Sequence, residues 1–174
     1  VDRDGQVASL TTSNGEGCSY VIPGTGIMMN NMLGEEDLNP GGFHCWPRGQ
    51  RLASMMCPSV ATLADGTRVA LGTGGANRIR SAVLQVLLNL FAFRMPLERA
   101  VAAPRMHLEG DRLSLEAGFR DDALTALRDD WPELELWPEP NLFFGGVHAV
   151  ELLPDGSFRG AGDPRRDGAV ARNP

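Results

Sequence analysis

Residues 58–90 read PSVATLADGTRVALGTGGANRIRSAVLQVLLNL, and the fold turns on how this stretch is parsed. Two strand-like runs, 58–63 and 67–71, flank Asp65-Gly66, a dipeptide suited to the positive φ of a tight hairpin. Gly72-Thr73-Gly74-Gly75 follows at once, and then Ile79, Ala82, Val83, Val86, Leu87 and Leu90 recur at helical spacing. Leu84, Leu88 and Phe91 make the opposite side of that helix apolar too, which predicts a largely buried helix. The pattern is a hairpin that runs through a glycine turn into a core helix.

On the C-terminal side, Pro96 stops this helix, and a short second one is expected over 96–103 before Pro104 closes it. A strand at 113–116, a helix with an acidic start at 121–128 and a strand at 134–136 come next. The runs 147–153 and 157–160 enclose Asp155-Gly156 as another hairpin. On the N-terminal side, Val1-Asp2-Arg3-Asp4-Gly5 reads as a turn and 6–12 as an extended strand. A hairpin turn needs a strand before it, so the chain is expected to begin inside a larger, processed protein. Residues 13–56 are rich in Gly, Asn, Pro and Met and lack periodicity, with residues 27–29 and Trp46 as expected apolar anchors. Hairpins outnumber parallel crossovers, so the expected class is α+β: a mostly antiparallel sheet with packed helices, in a single domain over 1–174.

Composition narrows the functions. A formal charge of −6 without a basic stripe argues against a nucleic-acid partner, whose binding draws on clustered cations. No run is long and apolar enough to predict a membrane span, and none reads as a signal peptide, so the sequence assigns no compartment. Cys18, Cys45 and Cys57 are widely spaced and odd in number, which predicts buried free thiols rather than a disulfide framework. No ligand spacing for a metal and no cofactor fingerprint is present, so neither is expected.

The segment Gly72-Thr73-Gly74-Gly75-Ala76-Asn77-Arg78 is the chemically suggestive one. A phosphate loop needs a Gly-Lys-Ser/Thr ending, and a dinucleotide fingerprint needs a third glycine at another offset. An oxyanion hole needs only backbone N–H groups fixed at a tight turn. A plain packing turn explains the same residues, and both readings stay open. Thr11 and Ser13, two apart on a strand, share a face. Glu35-Glu36-Asp37 is either an amine-recognising group or a solvated run. His44, His107 and His148 are scattered, and without a Gly-x-Ser-x-Gly elbow no nucleophile emerges.

Five segments in order carry a resemblance: residues 23–31 (PGTGIMMNN), 54–58 (SMMCP), 72–78 (GTGGANR), 103–107 (APRMH) and 163–168 (DPRRDG). Together they resemble the γ-glutamyltranspeptidase family of N-terminal-nucleophile hydrolases across nearly the whole chain. The resemblance implies most of a small subunit, contributing to an αββα sandwich beside the large subunit of the same precursor. It implies autocatalytic processing that exposes a threonine upstream of Val1, whose hydroxyl attacks a γ-glutamyl amide such as that of glutathione and whose α-amine serves as base. An amino acid, a peptide or water then takes the acyl group.

By the same resemblance, Ser13 matches the hydroxyl that hydrogen-bonds the nucleophile, and Gly75 with Ala76 match the paired oxyanion-hole glycines. Ser54 matches the first of two serines on the substrate α-carboxylate, and Glu35 the acid on its α-amine. Three positions depart from the pattern: Met55 stands for the second serine, Gly15 for an asparagine, and Met32 for a polar contact. Each hydrogen bond lost to a charged group weakens binding by roughly 1.5–3 kcal/mol. Two further readings therefore stand beside γ-glutamyl transfer: the same mechanism on a different acyl group, such as poly-γ-glutamate, an apolar acyl amide or a β-lactam side chain, or a non-catalytic binding relative.

Overall fold

A computed structural model of the chain describes residues 1–13 and 17–172. They fall into two compact units, one formed by Val1–Thr11 with Met56–Pro174 and the other by Thr12–Met55.

The larger unit holds two sheets. In the first, the strands run in the order β1 (Ser59–Thr62), β2 (Arg68–Gly72), β6 (His148–Leu152) and β7 (Phe158–Ala161), all antiparallel. Both of its hairpins turn on Asp-Gly pairs. Asp65 accepts the Thr67 N–H at 2.9 Å and Asp155 accepts the Ser157 N–H at 2.9 Å, local bonds that turn the chain within a few residues. The second sheet orders β3 (Met106–Glu109), β4 (Arg112–Glu116) and β5 (Glu133–Trp137), with β3–β4 antiparallel and β4–β5 parallel. The parallel pair is closed by the crossover helix α3 (Asp121–Asp130).

Helix α1 (Arg78–Phe91) buries Ile79, Ala82, Val83, Val86 and Leu90, and packs against α2 (Leu97–Ala102) and β3. Helix α2 in turn covers β6 and β7 through Leu97, Ala100 and Val101. Val69, Leu71, Leu115, Phe144 and Val147 complete the core.

The Asp65-Gly66 and Asp155-Gly156 hairpins and the three helices fall where the sequence places them; other expectations change. The outer side of α1 is not buried: Leu84, Leu88 and Phe91 are 58%, 43% and 37% exposed, because the apolar partners in this chain lie only along the Ile79–Leu90 stripe. Residues 6–12 alternate half-buried and exposed as a strand does, yet form no ladder among the described residues. They are tied to β2 by side chains instead, with Ser9 Oγ donating to the Leu71 carbonyl at 2.8 Å and Arg68 donating to the Gly5 carbonyl at 2.9 Å. Strand β3 was hidden behind Pro104. The three cysteines are free as expected but exposed, since they sit in or beside the loop-rich stretch with little apolar chain to cover them.

The smaller unit is irregular. An isolated bridge joins Val21 and Met28 around a turn in which Thr25 Oγ1 donates to the Ile22 carbonyl and accepts the Ile27 N–H. Ile27, Met28 and Met29 are exposed, so they are not the anchors expected of them. The fixed point is Asn39, buried beside Leu38 after the 3-10 turns Met32–Gly34 and Glu36–Leu38. Its side-chain amide donates to the Met32, Leu33 and Glu35 carbonyls at 3.2, 3.2 and 2.6 Å, and its oxygen accepts from Trp46 Nε1 at 2.8 Å. Trp46 therefore does serve as an anchor, through a polar bond.

Candidate functional site

The junction of β2 and α1 is the candidate site in the larger unit. Gly75 adopts φ +137° and Ala76 φ +49°, after which Asn77 enters the helical region. The Gly75 and Ala76 carbonyls accept from Arg78 and Ile79 at 3.0 Å each, while no acceptor among the described residues takes the N–H of Gly75 or Ala76. Two backbone donors at the head of a 14-residue helix are thus left available, where the helix dipole also favours negative charge.

A second glycine turn braces the first. The chain at Gly145-Gly146 approaches so closely that a Cβ on Gly75 would lie 3.2 Å from the Gly145 Cα, and one on Gly145 would lie 2.9 Å from the Gly74 carbonyl oxygen. Thr73 Oγ1 closes the joint, donating to the Gly74 carbonyl at 2.8 Å and accepting the Gly146 N–H at 2.9 Å. Arg78 holds the far flank, its Nε donating to the Phe143 carbonyl at 3.2 Å and its guanidinium 4.8 Å over the Phe143 ring. Phe143 stacks in turn on Trp137 and meets Phe144 edge-on. Ala76 is a non-glycine residue in left-handed backbone, a strain found where surrounding structure over-determines the turn.

Behind this brace lies a buried ionic group, three of whose members, Arg105, Asp163 and Arg165, fall in the APRMH and DPRRDG segments. Arg105 and Arg165 face Asp163 and Glu116, all four buried. Asp163 Oδ2 accepts from Arg105 at 2.5 Å and from the Val147 N–H at 2.9 Å; its Oδ1 accepts from the backbone and side chain of Arg165 at 2.9 and 3.3 Å. Glu116 takes Arg165 Nε at 2.7 Å and pairs with its terminal nitrogen as well, besides accepting the Arg105 and Asn141 N–H groups at 2.9 and 3.0 Å. Arg105 also donates to the Phe144 carbonyl at 3.2 Å, the residue before Gly145. Burial and Arg165 pull the Arg105 guanidinium below its usual value, while Asp163 and Glu116 hold it up. Segments 103–107 and 163–168 thus meet in space to fix the glycine brace.

The remaining residues to which the resemblance points belong to the smaller unit. Met32 and Glu35 are half-buried and brought together by Asn39, with the Glu35 N–H also donating to the Met32 carbonyl at 3.2 Å. Ser13 is exposed at its start, and Ser54, exposed, and Met55, half-buried, lie at its end. Gly15 lies outside the described residues. Asn39, Gly145 and Glu116 were not singled out from the sequence, and Asp163 entered only as a letter of the DPRRDG segment. The adjacent Gly145-Gly146 pair was the one available signal.

Among the described residues no helix is long and apolar enough to cross a membrane, and no group of three or more His, Cys, Asp or Glu side chains is placed to hold a metal ion.

The fold class is α+β, of the kind found in N-terminal-nucleophile hydrolases, and comparison with known proteins agrees. Residues 1–172 match the family model described as gamma-glutamyltranspeptidase. The chain is 37% identical over 169 residues to the acylase ACY 1 proenzyme of Pseudomonas sp. (strain SE83), covering 96% of this chain and 30% of that protein. It is 30% identical over 173 residues to the glutathione hydrolase proenzyme of Bacillus subtilis (strain 168), covering 97% of this chain and 29% of that one. The structure superposes on γ-glutamyltranspeptidase from Pseudomonas nitroreducens complexed with L-DON with a TM-score of 0.78 and 27% identity, over 100% of this chain and 97% of the other. The chain belongs to the γ-glutamyltranspeptidase family. It spans about a third of the length of the two curated relatives.

Proposed function

We propose that this chain supplies the oxyanion turn and part of the acyl pocket of an autoprocessed acyl-amide hydrolase or transferase, working with the rest of its precursor. The observation that carries the reading is the pair of available N–H groups at Gly75 and Ala76, held by the Gly145-Gly146 brace. Preorganised donors of this kind stabilise the charge of a tetrahedral intermediate, and losing one such donor costs about 10²–10³ in kcat. The nucleophile is a threonine outside residues 1–174, attacking a γ-glutamyl amide with its own amine as base and passing the acyl group to water, an amino acid or a peptide. Ser13 orients that hydroxyl, Glu35 receives the substrate amine, and Ser54 its carboxylate. The precursor's large subunit completes the site. Full-length precursor incubated with a γ-glutamyl anilide is expected to cleave itself into two chains and release the aniline. A precursor that stays intact and inert sinks the proposal.

A second reading keeps the chemistry and changes the acyl group. Met32 and Met55 leave apolar surface where γ-glutamyl recognition uses polar contacts, and the similarity to an acylase proenzyme supports it. Side-by-side turnover of γ-glutamyl and aliphatic or aromatic acyl amides decides between the two.

A further inference from the structure

The residue that opens α1 does not cap it. Asn77 occupies the N-cap position, where an asparagine oxygen ordinarily accepts an N–H of the first turn, yet it makes no such bond. Its amide nitrogen instead donates to Glu109 at the end of β3, 32 residues away. Glu109 is in turn faced by His107 Nε2 at 3.5 Å, an ion-pair approach longer than a hydrogen bond. The other ring nitrogen of His107 meets Ser81 Oγ at 2.8 Å.

The spacing makes this a two-point tie. Asn77 and Ser81 are four apart and share a helix face; His107 and Glu109 are two apart and share a strand face. One pair therefore meets the other along a single line, Ser81 to His107 and Asn77 to Glu109. His107 is only 3% exposed, and its Nε2 has no hydrogen-bond partner among the described residues. Glu109 lies on the Nε2 side of the ring, so the tautomer with its proton on Nε2, in which the Ser81 hydroxyl donates to Nδ1, faces the carboxylate from behind while Asn77 holds it in front. Gln85, one further turn along α1, extends the tie by bonding both the N–H and the carbonyl of Met106 at 2.9 and 2.8 Å.

We propose that Ser81, His107 and Glu109 are positioning residues that act through Asn77 to fix the peptide of Ala76, and so aim one oxyanion donor. Asn77 is the residue after Ala76, and Ala76 lies in left-handed backbone that its own side chain does not favour. An outside restraint on Asn77 is what keeps that peptide from relaxing. The inference rests on the oxyanion reading of Gly75 and Ala76, and adds residues to which no role in the reaction had been given.

The test compares full-length wild type with Glu109→Ala, Glu109→Gln and Asn77→Ala, by crystal structure and by steady-state turnover of a γ-glutamyl anilide and of an aliphatic acyl anilide. Removing the tie is expected to reorient the Ala76 peptide and lower kcat about 10- to 100-fold, the scale of a misaimed catalytic group. KM is expected to hold. Glutamine keeps an oxygen for Asn77, and its nitrogen can donate to Nε2 once the imidazole carries its proton on Nδ1 and donates it to the Ser81 oxygen, so Glu109→Gln is expected to restore both geometry and rate. If Glu109→Ala does not fold, Asn77→Ala reports the same bond from its other end. An unmoved Ala76 peptide in both alanine variants overturns the proposal and leaves the oxyanion reading standing. A moved peptide with kcat intact shows that Ala76 is not an oxyanion donor and removes both, as does a wild type inert toward both anilides.

Discussion

Ala76 carries a methyl group where its backbone suits glycine, and two magnitudes decide what replacing it does. Left-handed backbone costs an L-residue about 1–2 kcal/mol, while glycine brings roughly 0.5–1 kcal/mol of extra unfolded-state entropy. Ala76→Gly is therefore expected to leave the melting temperature level or slightly higher and to keep activity, because the N–H remains. Gly75→Ala is the opposite case: at φ +137° with the Gly145 Cα 3.2 Å from the new Cβ, strain of about 1–3 kcal/mol falls on the turn itself. Thermal melts with parallel turnover assays read both variants. His107 gives a pH signature. Burial, helped by Arg78 and Arg80, holds its imidazole below the ordinary 6.5 against the opposing pull of Glu109. As pH falls the unfolded chain takes up that proton first, so stability is expected to be level above about pH 6.5 and to decline below it. Denaturant melts of wild type and His107→Gln across this range should differ in slope; parallel slopes assign the effect elsewhere.

Elements were legible wherever local chemistry builds them. The Asp65 and Asp155 hairpins are made by side chains bonding two residues on, and α1 by apolar spacing within one segment. Elements defined by a distant partner were not. Residues 6–12 show the alternation of a strand without a ladder among the described residues, and β3 becomes a strand only by pairing with β4. The candidate turn could be read from its glycines, but the angle that strains Ala76, the brace from Gly145 and the pull of Glu109 on Asn77 come from residues far along the chain. The Asn39 hub was equally hidden, since an asparagine before Pro-Gly-Gly reads as part of a loop. Asn39→Ala leaves the Trp46 indole without its acceptor and the Leu33 carbonyl without its donor, while the Met32 and Glu35 carbonyls keep only their backbone donors, at roughly 1 kcal/mol for each bond lost. Faster proteolysis within residues 12–55 is the expected outcome, with cleavage elsewhere in the chain unchanged.

At the scale of the whole molecule, the buried ionic group joins α2, β4, β6 and the segment after β7 at one point. Its four charges sum to zero, so the arrangement is tolerable only while complete. Arg165→Met strands the Glu116 carboxylate and is expected to cost about 3–5 kcal/mol; replacing Glu116 by leucine as well removes the stranded charge but also the acceptor of the Arg105 and Asn141 N–H groups, so only part of that loss is expected to return. Urea titrations of the single and double variants separate the two terms. A double variant no more stable than the single one contradicts this account.

The uncovered side of α1 has a practical consequence for anyone holding this chain in a tube. Leu84, Leu88 and Phe91 form an oily strip, and the repulsion that keeps copies apart comes from a net charge of −6 that vanishes near pH 5.0. Turbidity is expected to peak there, and Leu84→Glu, which both breaks the strip and moves the neutral point lower, is expected to clear the solution.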